Sequence, residues 1–579
     1  MARSNDAAAQ MLQEFAELLA ISGGDAFKVR AYEKAARAVA GYQAEIAGLD
    51  EKGLDAIPSV GVHLARKIVE FRETGSVEEL DELRGRVPAG LRTLLSVPGL
   101  GPKRARQVYD QLGITSVSEL LGALHEQRLR TLHGWGERSE ANLAQAVHDA
   151  QISGGRIQLG VALDLAEQLL AELRSLRAVR RAAYAGSLRR MRETVGDIDL
   201  LITSDRPTDV MRAFCALPLV ARVLAHGPTR ASVLTTKGVR VDLRIVAPAV
   251  WGAALLYFTG SKAHNIRIRE IAVRAGFKLS EYGLFEVESG RQLAAATEEE
   301  IYARLGLPWI APTLREDRGE VEAALENRLP RIVEERDIRG DLHVHTSLTD
   351  GVASLREMVE AAHARGYSYC AITDHAPQLF MQRMTTDKML AQRSELRQPE
   401  RSAGIALLHG TELNIAPDGS LDWDDEFLAG FDVVVASVHS QLRQSRDAMT
   451  ARLLHAIANP HVDIIGHPTT RILGHRQPID VDLDEVFKAA ARTGTALEIN
   501  SFPDRLDLDD ELVRRARYAG VRFAISTDAH TVPHLDYMRF GVSTAQRGWA
   551  EKGEVINTYP LAKLRRFLAE HPATRARAS

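Results

Sequence analysis

From residue 340 onward the chain repeats one device seven times: a short apolar run finishing in side chains able to bind a metal. The runs are Asp341-Leu342-His343-Val344-His345, Cys370-Ala371-Ile372-Thr373-Asp374-His375, Leu408-His409-Gly410-Thr411-Glu412, Val433 to His439, Ile464-Ile465-Gly466-His467, Ala496-Leu497-Glu498-Ile499-Asn500 and Phe523 to His530. Helical periodicity lies between most of them, as over 355–365 and 483–492. Alternating strand and helix predicts a parallel barrel, whose functional groups gather at the C-terminal strand ends. His-x-His at a strand end puts two imidazoles on one face, ready for one metal, and Asp528-x-His530 repeats that spacing. Nine candidate ligands result: His343, His345, Asp350, His375, Glu412, His439, His467, Asp528 and His530. The sixth run offers Glu498 and Asn500 instead. Nine nitrogen and oxygen ligands exceed the needs of one ion and fit a cluster of two or three, with Mn²⁺ or Zn²⁺ suited to mixed imidazole and carboxylate. One such histidine alone is more simply a core or surface residue; nine at strand ends are not an accident of composition. His409, His475 and His534 fall outside the pattern and are read as non-ligands.

A second concentration of chemistry lies in the stretch Gly186-Ser187-Leu188-Arg189-Arg190-Met191-Arg192-Glu193-Thr194-Val195-Gly196-Asp197-Ile198-Asp199. Asp197 and Asp199 open an apolar strand, two residues apart, so both carboxylates face one side. Like charges that close raise each other's pKa unless divalent cations neutralise them. The alternating run Val239 to Val246 supplies a third carboxylate, Asp242, between Arg240 and Arg244. Three carboxylates behind a Gly-Ser turn describe a two-metal phosphoryl-transfer site. The turn offers backbone N–H groups and the Ser187 hydroxyl to phosphate oxygens, and Arg190 adds a charge-assisted bond. An isolated Asp-x-Asp is more often a solvated strand edge; Gly186-Ser187 ahead and Asp242 behind reverse that weighting.

With 579 residues the chain has room for three or four domains. Two distant cysteines, Cys215 and Cys370, argue against a disulfide framework and fit a reducing cytoplasm. No apolar run reaches the length of a membrane span, and the first residues lack the pattern of a signal peptide. Net charge is −4, and only the middle third of the chain is basic. Affinity for a polyanion must then come from local patches and backbone donors.

Residues 1–155 read as helices with a weak internal repeat. Ile57 to Val62, Val97 to Pro102 and Leu132 to Gly136 each put a glycine-containing turn ahead of a helix, those helices starting near His63, Lys103 and Glu137. Such a turn points consecutive N–H groups at a phosphate without reading sequence. A single copy is more simply a tight turn; the second, beside Lys103, Arg104 and Arg106, is the strongest. The three resemble helix-hairpin-helix motifs, with Gly61, Gly99, Gly101, Lys103, Gly134 and Gly136 as DNA-binding candidates.

Gly186-Ser187, Arg189-Arg190, Gly196-Asp197-x-Asp199 and Asp242 resemble the palm of family X DNA polymerases, within the nucleotidyltransferase superfamily. Tyr257-Phe258-Thr259-Gly260-Ser261-Lys262-Ala263-His264-Asn265, then Arg269, extend the likeness. The resemblance implies Asp197, Asp199 and Asp242 as catalytic metal ligands for Mg²⁺ or Mn²⁺. It implies Gly186, Ser187, Arg190 and Gly196 at the triphosphate, and Tyr257, Phe258 and Gly260 beneath the sugar. Asn265 falls at the base edge and Arg269 on the template side. Lys262 stands where the animal enzymes carry an acidic residue, and Val195 where they carry a hydroxyl. Residues 20–80 resemble the small N-terminal domain of that family, in which some relatives cleave deoxyribose phosphate; Lys67 takes the place of the Schiff-base lysine, and His63 that of a second lysine. The nine ligands resemble those of the PHP (polymerase and histidinol phosphatase) domain.

The expected fold is multidomain α+β and α/β. It comprises a helical lyase-like domain at 1–80, a helix-hairpin-helix fingers region at 81–155 and a nucleotidyltransferase palm at 156–250. A thumb at 251–320, a linker at 321–339 and a seven-stranded (β/α) PHP barrel at 340–579 follow. The expected function is gap-filling addition of dNTPs to a primer 3′-OH by a cytoplasmic monomer, with gapped or primed DNA as partner. The PHP domain adds a metal-dependent 3′–5′ exonuclease, with abasic-site endonuclease or 3′-phosphatase activity as extensions. Two rivals remain: a DNA-binding half fused to a small-molecule phosphatase, and a DNA end-binding scaffold with both sites silent.

Overall fold

The computed structural model describes residues 4–22, 25–40, 46–57, 59–88, 91, 94, 100, 102–137, 139–141, 143–144, 156–379, 384–398 and 404–578. The N-terminal part is helical, as its three-and-four apolar spacing demands. Helices Ser4–Ile21, Ala26–Ala40, Val62–Thr74, Glu78–Arg86, Pro102–Leu112 and Val117–His125 share a core containing Leu12, Phe15, Ala65, Leu80 and Leu120. Gly61 caps Val62–Thr74, which starts one residue before His63. Gly99 and Gly101 lie outside the described residues, as does the side chain of Lys103. Gly134 turns with φ 80°. Trp135 beside it is buried, donates from Nε1 to Gln107 Oε1 at 2.9 Å and lies under the Arg104 guanidinium at 4.7 Å.

The next sheet has five strands in the order Val179–Tyr184, Ile198–Ser204, Arg240–Val246, Arg230–Thr235, Val220–His226. Its central pair, Ile198–Ser204 and Arg240–Val246, is parallel and in register, so Asp199 sits opposite Asp242. Helix Leu159–Arg174 covers one face and contributes Leu163, Leu165, Ala166, Leu169 and Leu170 to the core. Helices Trp251–Thr259 and Lys262–Arg274 lead to a small antiparallel sheet formed by Phe277–Ser280, Gly283–Glu286 and Gln292–Ala294.

From Gly340 seven strands pair in parallel in sequence order: Gly340–Asp341, Tyr369–Ile372, Ala406–Asn414, Val433–Ser437, Ile464–Ile465, Ala496–Asn500 and Phe523–Ser526. The barrel is nearly closed. Beyond the strand ends Val344 bridges Ala529, and His345 N–H donates to Ala529 at 2.9 Å. Lower down the two edge strands are joined through side chains: Asp341 accepts from the Thr527 N–H and hydroxyl, and Asn557 spans the gap. Asn557 Nδ2 donates to the Gly340 and Ile525 carbonyls, and its Oδ1 accepts from Ile525 N–H. The stretch expected as a linker is packed along this domain: Val333 is fully buried in the barrel's outer core and bonds to Ala550.

Palm and barrel share a core. Leu506 and Phe540 of the barrel pack among Leu159, Leu163 and Leu188. Gly160 meets Pro503 so closely that an added Cβ would lie 2.8 Å from the proline Cβ. Arg471 donates to Glu193 at 2.7 Å and to the Leu506 carbonyl at 2.6 Å, fixing the same seam with charge.

Palm and thumb are tied by Glu298. Its carboxylate accepts a bidentate pair from Arg189 at 2.8 and 2.9 Å and a second pair from fully buried Arg315 at 2.6 and 3.1 Å. Burial alone would raise the Glu298 pKa, but the two guanidiniums outweigh it and bring it down to about 2. Glu298→Gln is expected to cost about 3 kcal/mol near neutral pH, because it strands two buried arginines. The folded pKa lies below the ordinary value of 4.5, so this stabilisation is full above that pH and is lost as pH falls toward 2. Denaturant unfolding of both proteins at neutral and acid pH checks it: the gap between them should narrow in acid.

Candidate polymerase and metal centres

The first centre sits where the parallel palm pair ends. Asp199 and Asp242 are cross-strand partners, and Asp197 lies just before the strand. Burial, then the charges of Asp197 and Asp242, push the Asp199 carboxyl up to about 6, against the pull of Arg244 and Arg190. Asp242 is 6% exposed, accepts from the Ser232 hydroxyl on the neighbouring strand, and pairs with Arg240 at 3.0 Å. Gly186 begins a single helical turn, Gly186–Arg189, with φ 61°. A Cβ there would lie 2.3 Å from Asp199 Oδ2, so the turn closes over the carboxylate only because residue 186 has no side chain. Ser187 follows, half-buried, and Gly196 is exposed beside Asp197. A cluster of three carboxylates that holds one of them toward its neutral form is short of positive charge, which suits divalent cations.

Arg190 is mostly buried: Nε donates to Glu316 Oε1 at 2.9 Å and Nη1 to the Thr259 carbonyl at 2.7 Å. Tyr257 and Phe258 meet edge to face at 5.1 Å, and the Arg244 guanidinium covers Phe258 at 4.4 Å. Asn265 Nδ2 donates to the Tyr257 and Gly260 carbonyls, while its buried Oδ1 has no hydrogen-bond partner. A Cβ on Gly260 would lie 2.4 Å from that Oδ1. Arg269 donates from Nε to the Asn265 carbonyl at 3.1 Å, one turn along the same helix. Lys67 is far in sequence from all of these. It pairs with Glu79 and lies over the Phe15 ring at 5.0 Å, so Schiff-base chemistry there would require the Glu79 pair to open.

The second centre lies at one end of the barrel, where all nine expected side chains converge. Glu412 is the hub: its two oxygens lie within 3.5 Å of His343, His345, His375, His439 and His467. Asp528 reaches His345 at 3.2 Å, and Asp350 reaches His375 at 3.3 Å and His530 at 3.4 Å. Three overlapping groups could each hold an ion: His343, His345 and Asp528; His345, Asp350, His375 and His530; and His375, Glu412 and His439. Glu412 differs from the others in lying inside its strand, Ala406–Asn414, rather than at its end. His467 and Asp528 adopt positive φ, 27° and 53°, where non-glycine residues are held only by their surroundings.

The donor set fits cations. His343 Nε2 and both His345 ring nitrogens are buried without a hydrogen-bond partner. Burial should keep these imidazoles neutral, yet Glu498, Glu412 and Asp528 hold His343 well above its ordinary pKa. For His375 burial is likewise outweighed, by Glu412 and Asp350. For His345 and His467 burial prevails and lowers the pKa, so the cluster mixes imidazoles kept neutral with carboxylates, the donor set a metal needs.

Several residues support the ligands, among them Glu498, which the sixth run had offered. Glu498 Oε1 accepts from or donates to His343 Nδ1 at 2.7 Å, turning Nε2 toward the centre, and Glu498 Oε2 accepts from His467 N–H at 2.7 Å. Buried Asp374 accepts from Thr346, Thr349 and Gln392 and thereby holds the loop that carries Asp350. The strand alternation of Ala496–Asn500 could have flagged Glu498 as inward-facing; nothing local flags Ser232 or Glu316. His409 is turned away, stacked on Phe431 at 4.8 Å and bonded to Arg393. His534 stacks on Tyr537 and accepts from His530 N–H, and His475 is exposed.

Known families match in the same order along the chain. The helix-hairpin-helix domain matches residues 3–77 and the SAM-like helix-hairpin-helix tandem 91–149. The DNA polymerase beta thumb matches 254–316 and the PHP domain 341–502. Rat DNA polymerase lambda is 25% identical over 325 residues, 51% of this chain and 53% of that one. A probable phosphatase of Thermoanaerobacter pseudethanolicus is 29% identical over 242 residues, 40% of this chain and 94% of its own. The DNA polymerase/3′-5′ exonuclease PolX of Bacillus subtilis is 37% identical over 563 residues, 96% of this chain and 98% of the relative. A likeness that runs through both centres and the segments joining them leaves one assignment: the chain belongs to the PolX family, the bacterial family X DNA polymerases with a C-terminal PHP domain.

Proposed function

We propose that the protein extends a primer 3′-OH with dNTPs in short DNA gaps at Asp197, Asp199 and Asp242, and removes 3′ nucleotides at the nine-ligand centre of the barrel. The observation that carries this reading is the presence of two separate, cation-hungry centres in one chain, one acidic and one mainly imidazole. At the first, Asp197, Asp199 and Asp242 would hold Mg²⁺ or Mn²⁺. When bound, these ions lower the pKa of the attacking hydroxyl and steady the leaving pyrophosphate. Ser187 and the backbone of the Gly186 turn meet phosphate oxygens. Nε and Nη1 of Arg190 are committed to Glu316 and Thr259, so Nη2 is the nitrogen left to meet the triphosphate. Tyr257 and Phe258 form the floor beneath the sugar, and Asn265, its amide held by the Tyr257 and Gly260 carbonyls, takes the base edge. Gly61, Gly134 and Gly136, together with Gly99, Gly101 and Lys103, grip the duplex backbone on either side of the gap.

At the second centre two or three Mn²⁺ or Zn²⁺ ions would be held by the nine ligands and would supply an activated water for phosphodiester hydrolysis. Glu498 fixes the orientation of His343, and Asp374 that of the Asp350 loop. Abasic-site cleavage and 3′-phosphate removal belong to the same hydrolytic chemistry. The working location is the cytoplasm and the working unit one chain.

A 5′-labelled primer in a one-nucleotide gap, incubated with Mg²⁺ or Mn²⁺ with and without dNTPs, separates the two centres. Asp199→Ala is expected to abolish extension and keep shortening; His343→Ala is expected to do the reverse. A wild-type protein that never shortens the primer, but hydrolyses a free phosphomonoester, would replace the nuclease with a small-molecule phosphatase. Glu498→Gln is expected to lower the shortening rate and the bound metal content about 10–100-fold while extension is unchanged; metal analysis by mass spectrometry beside the primer assay checks both halves of that expectation.

A further inference from the structure

The guanidinium that meets the triphosphate is itself held by a chain of buried charges reaching into the barrel domain. Glu316 Oε1 accepts from Arg190 Nε at 2.9 Å and from Arg547 Nη1 at 2.9 Å. Arg547 Nη1 also donates to the Arg190 carbonyl at 2.9 Å, so it grips the residue at its backbone as well. Arg547 Nη2 donates to Asp510 at 2.7 Å, and Asp510 accepts from Arg318 at 3.0 Å. Side-chain exposure is 12% for Arg190, 10% for Glu316 and 3% for Arg547.

We propose that Arg547, supplied by the PHP domain, and Glu316 are positioning residues of the polymerase centre that set its affinity for the incoming nucleotide. The proposal rests on the reading of Arg190 as a triphosphate ligand. Glu316 fixes the plane of the Arg190 fork. Left alone with Arg190, however, its carboxylate would neutralise the charge that the triphosphate needs. Arg547 hydrogen-bonds the same carboxylate oxygen as Arg190, with Arg192 farther off at 3.8 Å, and as the nearer competitor leaves Arg190 with charge to offer. One domain thus tunes substrate binding in another without touching substrate.

Packing does not by itself fix this junction. A polar cavity of about 190 Å³ borders it, lined in part by Arg192, Glu193, Arg318, Asp510 and Arg547. Water can therefore reach a group left behind by a shortened side chain, and Arg547→Gln need not strand a dry charge.

The test is steady-state gap filling by the full-length protein, with KM for dNTP and kcat measured separately and a thermal melt as the fold control. Arg547→Gln is expected to raise KM about tenfold with kcat nearly unchanged, the loss of one charge-assisted hydrogen bond. Glu316→Gln in the Arg547→Gln background should bring KM part of the way back, since the competitor for Arg190 is gone. Arg547→Lys keeps the charge but cannot bridge Glu316, the Arg190 carbonyl and Asp510 together, and should fall between wild type and Gln. If Arg547→Gln fails to fold, Arg547→Lys decides: a raised KM supports the proposal and a wild-type KM overturns it. A folded Arg547→Gln with wild-type KM, or with loss confined to kcat, also overturns it. Arg190→Gln separates the underlying reading, since an unchanged dNTP KM in that variant removes Arg190 from the triphosphate and the proposal with it.

Discussion

Both centres depend on the register of parallel strands. In the palm, pairing of Ile198–Ser204 with Arg240–Val246 places Asp199 opposite Asp242. In the barrel, the bridge between His375 and Glu412 sets an imidazole beside the hub carboxylate. A slip of one residue in either pair would turn the carboxylate to the other face of its sheet. The apolar residues between the charged ones, Leu200 and Ile202 in the palm and Leu408 and Leu413 in the barrel, are fully or almost fully buried and oppose such a slip. Hydrophobic burial thus bears the electrostatic cost of assembling like charges.

What could be read from the chain was what is written locally. Asp197-x-Asp199, His343-x-His345 and Asp528-x-His530 announce themselves by spacing, although of the six only Asp199 lies within a strand; the others stand in the segments just outside the strand ends, with Asp528 at φ 53°. The seven barrel runs were legible for the same reason, and so was their parallel order. The supporting contacts were not. His343 meets Glu498 across 155 positions, Arg189 meets Glu298 across 109, and Arg547 meets Glu316 across 231. No periodicity joins residues so far apart; only the folded topology does. The expected linker shows the same limit: its charged and proline-broken composition does not announce Val333, which is buried and bonded to Ala550.

The molecule also blurs the line between its domains. The palm helix at Gly160 and the barrel residues Pro503, Leu506 and Phe540 pack as tightly as either interior. The Arg471–Glu193 pair and the Arg547–Glu316 pair then flank that apolar contact with charge. Buried apolar area gives such a junction strength, while paired charges give it a single orientation. Polymerase and hydrolase are therefore better viewed as two faces of one rigid body than as beads on a string.

Asn557 carries a further consequence. The first and last strands share no ladder of their own; the Asn557 amide bridges Gly340 and Ile525, and Asp341 accepts from Thr527 beside it. The join between first and last strands is thus held by side chains below the rim and by the Val344–Ala529 bridge at it. His343 and His345 stand on one side of this line and Asp528 and His530 on the other, with His345 and Asp528 only 3.2 Å apart. An ion shared by those side chains would brace the rim across this line, where Val344 and Ala529 already pair.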